Sequence, residues 1–348
     1  MSKALPIIIT LLAGFMGGFL FTLISAPLPW ILGSIFGVIV LSQTPAHVHK
    51  VPRPYVNIAR IIIGIAIGGQ FSPTILDDIA SYATSLAFLP FYIVAVTSCG
   101  WFYFHVLMKL DPRTAFLCST PGGIAELVIV GEDIKANVPQ LALIQGVRIL
   151  VVVYTLPFLA GSLKDMNVGS VKQFMPPLSA SNPTDLLLLV IIGISGWLIA
   201  RSLKISGAPI IGPMIFSALL SINSLLPQEP PDEIFKFAQF LLGTSIGSVF
   251  FGYSIKDMML TVLKSVGFLF VLAAITGLTA YLVTQITDFT FLSALLAYAP
   301  GGQAETSIIS LVLGENTGYV ALHHLVRLFV IVSIIPPIAR RFYRNRPL

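Results

Sequence analysis

Apolar residues come in long runs in this chain, separated by short polar stretches. Six such segments lie near 4–24, 28–42, 56–71, 79–107, 113–131 and 138–163, and six more near 185–200, 208–226, 234–252, 258–286, 291–313 and 317–339. A helix needs about 20 apolar residues to cross the hydrocarbon core of a bilayer, so most of these runs predict transmembrane helices. The segments at 28–42 and 56–71 are short for a crossing and need tilt or flanking residues. The segments at 113–131 and 291–313 each carry Pro-Gly-Gly near the middle. Proline lacks an N–H and paired glycines favour non-helical backbone, so a continuous helix is not expected there.

The two sets of six are copies of one another. With the sequence shifted by 179 positions, Gly17 meets Gly196, Gly33 meets Gly212, Gly64 meets Gly243 and Gly68 meets Gly247. In the same register Pro121-Gly122-Gly123 meets Pro300-Gly301-Gly302, Glu126 meets Glu305, Arg148 meets Arg327 and Pro157 meets Pro336. A constant offset across rare residue types marks a duplication. The organisation is a first membrane repeat over 1–163, a polar linker over 164–184 and a second membrane repeat over 185–348.

Composition strengthens the membrane reading. Only 10% of the 348 residues are charged, 56% are apolar, and the mean hydropathy is +0.92. A soluble domain carries about 25% charged residues. The net charge of +5 is no nucleic-acid signature, because its largest cluster (Arg340, Arg341, Arg344 and Arg346) directly follows an apolar run and no polar domain with a basic face is present. Cys99 and Cys118 sit in apolar surroundings and read as buried thiols, not as a disulfide framework. The first run lacks a cleavage site of small residues and reads as an uncleaved span.

Loop charge predicts the topology. In the first half Lys50, Arg53 and Arg60 lie between segments two and three, and Lys109 and Arg113 between four and five. In the second half Arg201 and Lys204 lie between segments one and two, Lys256 and Lys264 flank segments three and four, and Glu229, Asp232 and Glu233 lie between two and three. By the positive-inside rule the halves insert upside down relative to each other. Inversion requires an odd number of crossings per half, so one of six segments must return to its own side. The expected fold is an all-α polytopic membrane protein of two inverted repeats. Each has five spans plus a Pro-Gly-Gly re-entrant hairpin or broken helix, and both termini are cytoplasmic.

The candidate chemistry collects at the two Pro-Gly-Gly segments. Non-helical backbone at membrane depth is tolerated where protein or a water-filled cavity satisfies it, and paired broken helices are the sequence pointer to a transporter's substrate site. The candidate substrate- or ion-binding residues are Pro121, Gly122, Gly123, Glu126 and Arg148 with Pro300, Gly301, Gly302, Gln303, Glu305, His324 and Arg327. Glu126, Glu305, Arg148 and Arg327 are costly inside a membrane and need a partner or a cavity. One reading pairs each glutamate with an arginine to pin hairpin to helix; the other puts substrate or a coupling ion on one of the four. Ile144-Gln145 faces His323-His324 across the register, and a histidine there either carries protons or is a hydrogen-bonded core imidazole. Gln303 against Ile124 and Ser307 against Val128 make the second hairpin the more polar one, where substrate specificity is expected. No metal-ligand cluster, phosphate loop, nucleophile elbow or paired-carboxylate pattern appears, so neither an enzyme nor a cofactor is expected.

These motifs resemble a known family, the AbrB-like bacterial membrane proteins with a duplicated membrane domain. The residues that carry the likeness are Pro121-Gly122-Gly123 with Gln145 and Arg148, Pro300-Gly301-Gly302 with Arg327, and Pro336-Pro337-Ile338-Ala339-Arg340. Members have been labelled regulators of gene expression and ammonia monooxygenases, although neither a compact polar DNA-binding domain nor a metal centre can be assembled here. The family is similar to the cation/proton antiporter and anion symporter group, and that similarity implies transport. The expectation is an ion-coupled secondary transporter of a small anionic organic solute in the bacterial cytoplasmic membrane. Its partners would be the substrate, the lipid bilayer and a proton or sodium ion, with no direct nucleic acid and with a homodimer left open. The alternative is a membrane sensor acting on gene expression through a partner.

Overall fold

The computed structural model describes residues 4–26, 28–44, 49–69, 71, 79–122, 124–163, 175–205, 207–301 and 303–343. Residues 164–174 of the 164–184 linker and the second glycine of each motif, Gly123 and Gly302, lie outside the described residues. The described chain is helical, with no strand among its residues. In the first half the helices are α1 (Ala4–Leu23), α2 (Pro29–Ser42), α3 (Arg53–Gly69), α4 (Ile79–Phe102, continued by a π-helical turn over Tyr103–Leu107), α5 (Pro112–Ser119), α6 (Ile124–Asp133) and α7 (Val138–Leu163). In the second half they are α8 (Pro183–Ser202), α9 (Ala208–Ile222), α10 (Asp232–Gly247), α11 (Ile255–Thr284), α12 (Phe291–Tyr298), α13 (Gln303–Val312) and α14 (Thr317–Tyr343).

Six of these, α1, α4, α7, α8, α11 and α14, are long and apolar enough to cross a bilayer. Their outward faces fit lipid. Phe91 is 75% exposed, Phe270 74% and Phe329 69%, which a water-facing surface would not carry in such number. Cys99 corrects an expectation: Cys118 is buried, but Cys99 is exposed on α4. An apolar sequence neighbourhood marks a bilayer-facing position as readily as a core one, so burial could not be read from it. The second-half segments at 208–226 and 234–252 also contract, to helices of 15 and 16 residues.

The chain divides into two compact units that cut across the halves. One comprises residues 1–78, 154–253 and 307–318, and so holds α1–α3 and α8–α10; the other comprises 79–153, 254–306 and 319–348. The first unit takes equivalent helices of both repeats, α1–α3 and α8–α10, together with the end of α7 and residues 307–318.

Glycine builds the first unit. A Cβ on Gly17 would collide with the backbone of Gly33, and one on Gly196 with the backbone of Gly212, so α1 on α2 and α8 on α9 touch main chain to main chain. These two positions need glycine for close approach alone. Between the halves the packing is reciprocal. Gly64 of α3 lies on the Ile210 carbonyl of α9, while Gly243 of α10 lies on the Ile31 carbonyl of α2, positions 179 apart in both members. Farther along, Gly68 meets Met214 and Ser217, and Gly247 meets Ile35 and Val38. Positions rise together along both pairs, so α3 runs parallel to α9 and α10 parallel to α2. The loop backbones repeat as well: Ser25 and Lys204 have φ 51° and 55°, and Leu28 and Gly207 have φ 45° and 74°.

Candidate functional site

The second unit contains both helix breaks, and its construction begins at the helix starts before them. Pro112 opens α5, where proline's missing N–H costs nothing, and the Asp111 carboxylate accepts from the N–H groups of Arg113 (3.1 Å) and Thr114 (3.0 Å). At the equivalent place the Thr290 hydroxyl accepts from the Ser293 N–H at 3.0 Å and starts α12. Each helix then stops before proline. Thr120 (ψ 127°) and Ala299 (ψ 136°) are extended because the following proline ring excludes helical backbone at the residue before it. The helices resume as α6 and α13, so both segments are broken helices.

Each break leaves carbonyls without intrahelical donors. Arg148 of α7 donates from Nη1 to the Thr120 carbonyl and from Nη2 to the Gly122 carbonyl, both at 3.1 Å. Arg327 of α14 does the same to Ala299 (2.7 Å) and Gly301 (2.8 Å). One turn earlier, Gln145 donates from Nε2 to the Leu117 carbonyl at 2.7 Å, and the His324 ring nitrogen Nε2 lies 2.9 Å from the Leu296 carbonyl. Every member of these pairs is 179 positions from its mate. A planar, forked cation suits two carbonyls at the negative end of a helix dipole, which a lysine could not span.

The partners of His324 fix its proton. Arg327 Nη2 lies 2.9 Å from Nδ1 and can only donate, so Nδ1 is the acceptor and Nε2 carries the hydrogen given to Leu296. Both arginines therefore pin broken helix to following helix, but the acceptors are main-chain carbonyls. Glu126 and Glu305 sit in the first turns of α6 and α13, and their side chains, with that of Gln303, lie outside the described residues. Pro121, Pro300 and Gly301 are buried beside the arginines.

Where the halves differ, polar groups change status. His324 has the Thr306 hydroxyl 3.2 Å from Nε2; Leu127 stands at that position in the first half, and the Gln145 Oε1 is buried without a partner. The Arg148 Nε is also buried and unpartnered. Between α4 and the second half lies a hydroxyl cluster that sequence reasoning missed, apart from His323. Ser85 Oγ of α4 lies 2.5 Å from the Tyr319 hydroxyl and 2.8 Å from His323 Nε2, while the Tyr298 hydroxyl donates to the Ser85 carbonyl at 2.5 Å. His323 Nδ1 faces the Tyr319 carbonyl at 2.9 Å and must donate to it, so Nε2 accepts from Ser85. The equivalents of Ser85, Tyr298, Tyr319 and His323 are Lys264, Ser119, Gln140 and Ile144, so the cluster joins α4 of the first repeat to the second and has no copy at the equivalent positions. The only signal for it was the departure of these positions from the repeat.

A duplicated helical protein with membrane-type spans and two arginine-clasped helix breaks is the class that fold and site define. The chain belongs to the AbrB family: the model described as transition state regulatory protein AbrB matches residues 30–343. It is 23% identical to an uncharacterized Bacillus subtilis (strain 168) protein, YhjN, over 94% of this chain and 90% of that one. It is 26% identical to an Escherichia coli (strain K12) protein provisionally named regulator AbrB, over 92% of this chain and 91% of that one. No solved structure matches it.

Proposed function

We propose that this protein is an ion-coupled secondary transporter of a small anionic organic solute, working by alternating access in the bacterial cytoplasmic membrane. The observation that carries the reading is the pair of equivalent helix breaks, each held open by a buried arginine. Breaks in corresponding places of two repeats are the hallmark of a midplane binding site, and helix N-termini resuming after them favour anions. The unpartnered Nε–H of Arg148 offers a further donor to an anion.

Inversion of the repeats is supported by helix direction. If α2 and α3 are successive spans joined by a short loop, they run in opposite directions. Since α9 follows α3, α9 opposes α2, which is its own repeat mate. The same logic sets α10 against α3. Division of the chain into one unit with both breaks and one without them suits a carrier moving against a scaffold.

The test is uptake of radiolabelled organic anions into proteoliposomes under imposed proton or sodium gradients. Gradient-driven flux that Glu305→Gln abolishes, while the variant's melting temperature is kept, would support the proposal. Saturable binding with no flux under any gradient would overturn it in favour of a sensor that acts through a partner.

A further inference from the structure

A groove of about 680 Å³ opens in the first unit between α3, α8 and the start of α9. Ile58 and Ile61 of α3, Trp197 of α8 and Pro209 of α9 give it apolar walls, with Asn57 and Arg201 as its polar groups. The Arg201 guanidinium lies 5.9 Å above the Trp197 ring and is exposed. Three more cations adjoin the lining in the chain: Arg53 before Pro54, Arg60 before Ile61 and Lys204 before Ile205. No carboxylate lines the groove.

The repeat supplies an internal control. At the equivalent place in the other half Trp30 replaces Pro209, Gly18 replaces Trp197, and Phe237 and Phe240 replace Ile58 and Ile61. Trp30 lies against Gly18, where a Cβ would meet its ring at 2.8 Å. Phe15 packs on Trp30 at 5.5 Å and on Phe240 at 6.2 Å. Thr22 stands for Arg201, and Lys236, the mate of Asn57, is salt-bridged to Asp232. The same backbone thus carries a cluster of Phe15, Trp30 and Phe240 at one end and a cationic, apolar groove at the other, so the groove is not dictated by the backbone alone.

We infer that this groove binds an anionic phospholipid of the surrounding bilayer, its phosphate on Arg201 and its acyl chain along Ile58 and Ile61. A tryptophan beside an arginine is the side-chain pair that belongs at headgroup depth, and the basic rim matches an anionic headgroup. The apolar wall of Ile58, Ile61, Trp197 and Pro209 matches the upper methylenes of an acyl chain, which a small soluble anion lacks.

The experiment uses the full chain in nanodiscs of phosphatidylcholine, with and without phosphatidylglycerol, read by melting temperature and by lipid retention in native mass spectrometry. Phosphatidylglycerol should raise the melting temperature and be retained in preference to phosphatidylcholine. Arg201→Thr, which copies the other repeat at an exposed position, should weaken that retention about fivefold. Ile61→Phe, which copies Phe240 of the other repeat, should abolish retention while melting as the native chain does in phosphatidylcholine alone. Equal retention of both lipids by the native chain, or the same melting shift from soluble glycerol phosphate, would overturn the inference. So would a native mass in which the groove is covered by a second copy.

Discussion

Thr97 and Thr276 occupy equivalent positions of α4 and α11, yet only one has a partner. Thr276 Oγ1 lies 3.1 Å from the Tyr92 hydroxyl, whereas the mate of Tyr92 is Val271 and Thr97 Oγ1 is buried without a hydrogen bond. An unmet buried hydroxyl costs about 1–3 kcal/mol, and replacing it by an apolar group of the same shape removes that cost. Thr97→Val should therefore leave stability unchanged or raise it by up to about 1 kcal/mol, while Thr276→Val should lower it by about 1–3 kcal/mol because Tyr92 loses its partner. Thermal melts of both variants in one detergent check the difference in sign. The arginines carry larger stakes. Each guanidinium serves two buried carbonyls, and hydrogen bonds to charged groups are worth about 1.5–3 kcal/mol apiece. Arg148→Ala and Arg327→Ala should each cost roughly 3 kcal/mol or more, and Arg327→Lys should recover little of it, because one ammonium cannot span the fork. Recovery by lysine to native melting would show that charge alone, not the fork, holds the break.

At the scale of elements, helix existence was legible almost throughout, because apolar runs bounded by proline, glycine and charge leave few alternatives. The expected segment at 138–163 and α7 coincide, and the interruption of 113–131 and 291–313 follows from the residue before each proline. What escaped was anything that depends on which helices meet. Ser85 and His323 are 238 positions apart, and nothing local marks a lone serine in an apolar run as a hydrogen-bond partner. The acceptors of the arginines were hidden for a related reason: backbone carbonyls are present at every residue, so a sequence search for partners finds the glutamates first. Glycine positions were visible as repeat markers, but their role emerges only in the packed pairs. Gly17→Ala and Gly196→Ala push a methyl into the facing backbone, which cannot turn aside as a side chain can. Each should cost about 1–3 kcal/mol and lower the melting temperature, whereas Gly277→Ala on α11, with nothing within 4 Å, should not. Equal melting of all three would remove close helix approach as the basis of the first unit.

For the whole molecule the decisive matter is the direction in which each repeat enters the membrane. Two independent lines support the proposed inversion. By the positive-inside rule Lys50 and Arg53 are expected on the same side as Arg201 and Lys204, although these loops are not repeat mates. The packing agrees, because parallel α3 and α9 begin at one face, and the groove holds residues next to Arg53 and Lys204 together. A parallel duplication would instead put Lys50 with its repeat mate in the loop between α9 and α10, where Asn223 is exposed. Single cysteines introduced at Lys50 and Lys204 in a chain lacking Cys99 and Cys118 should thus react with an impermeant maleimide from the cytoplasmic side only. Cysteines at Asp77 and Asn223 should react from the opposite side only. Labelling of Lys50 and Asn223 positions from one side would make the repeats parallel and end the case for a two-sided carrier, since a site between inverted halves is what lets the same residues face each side in turn.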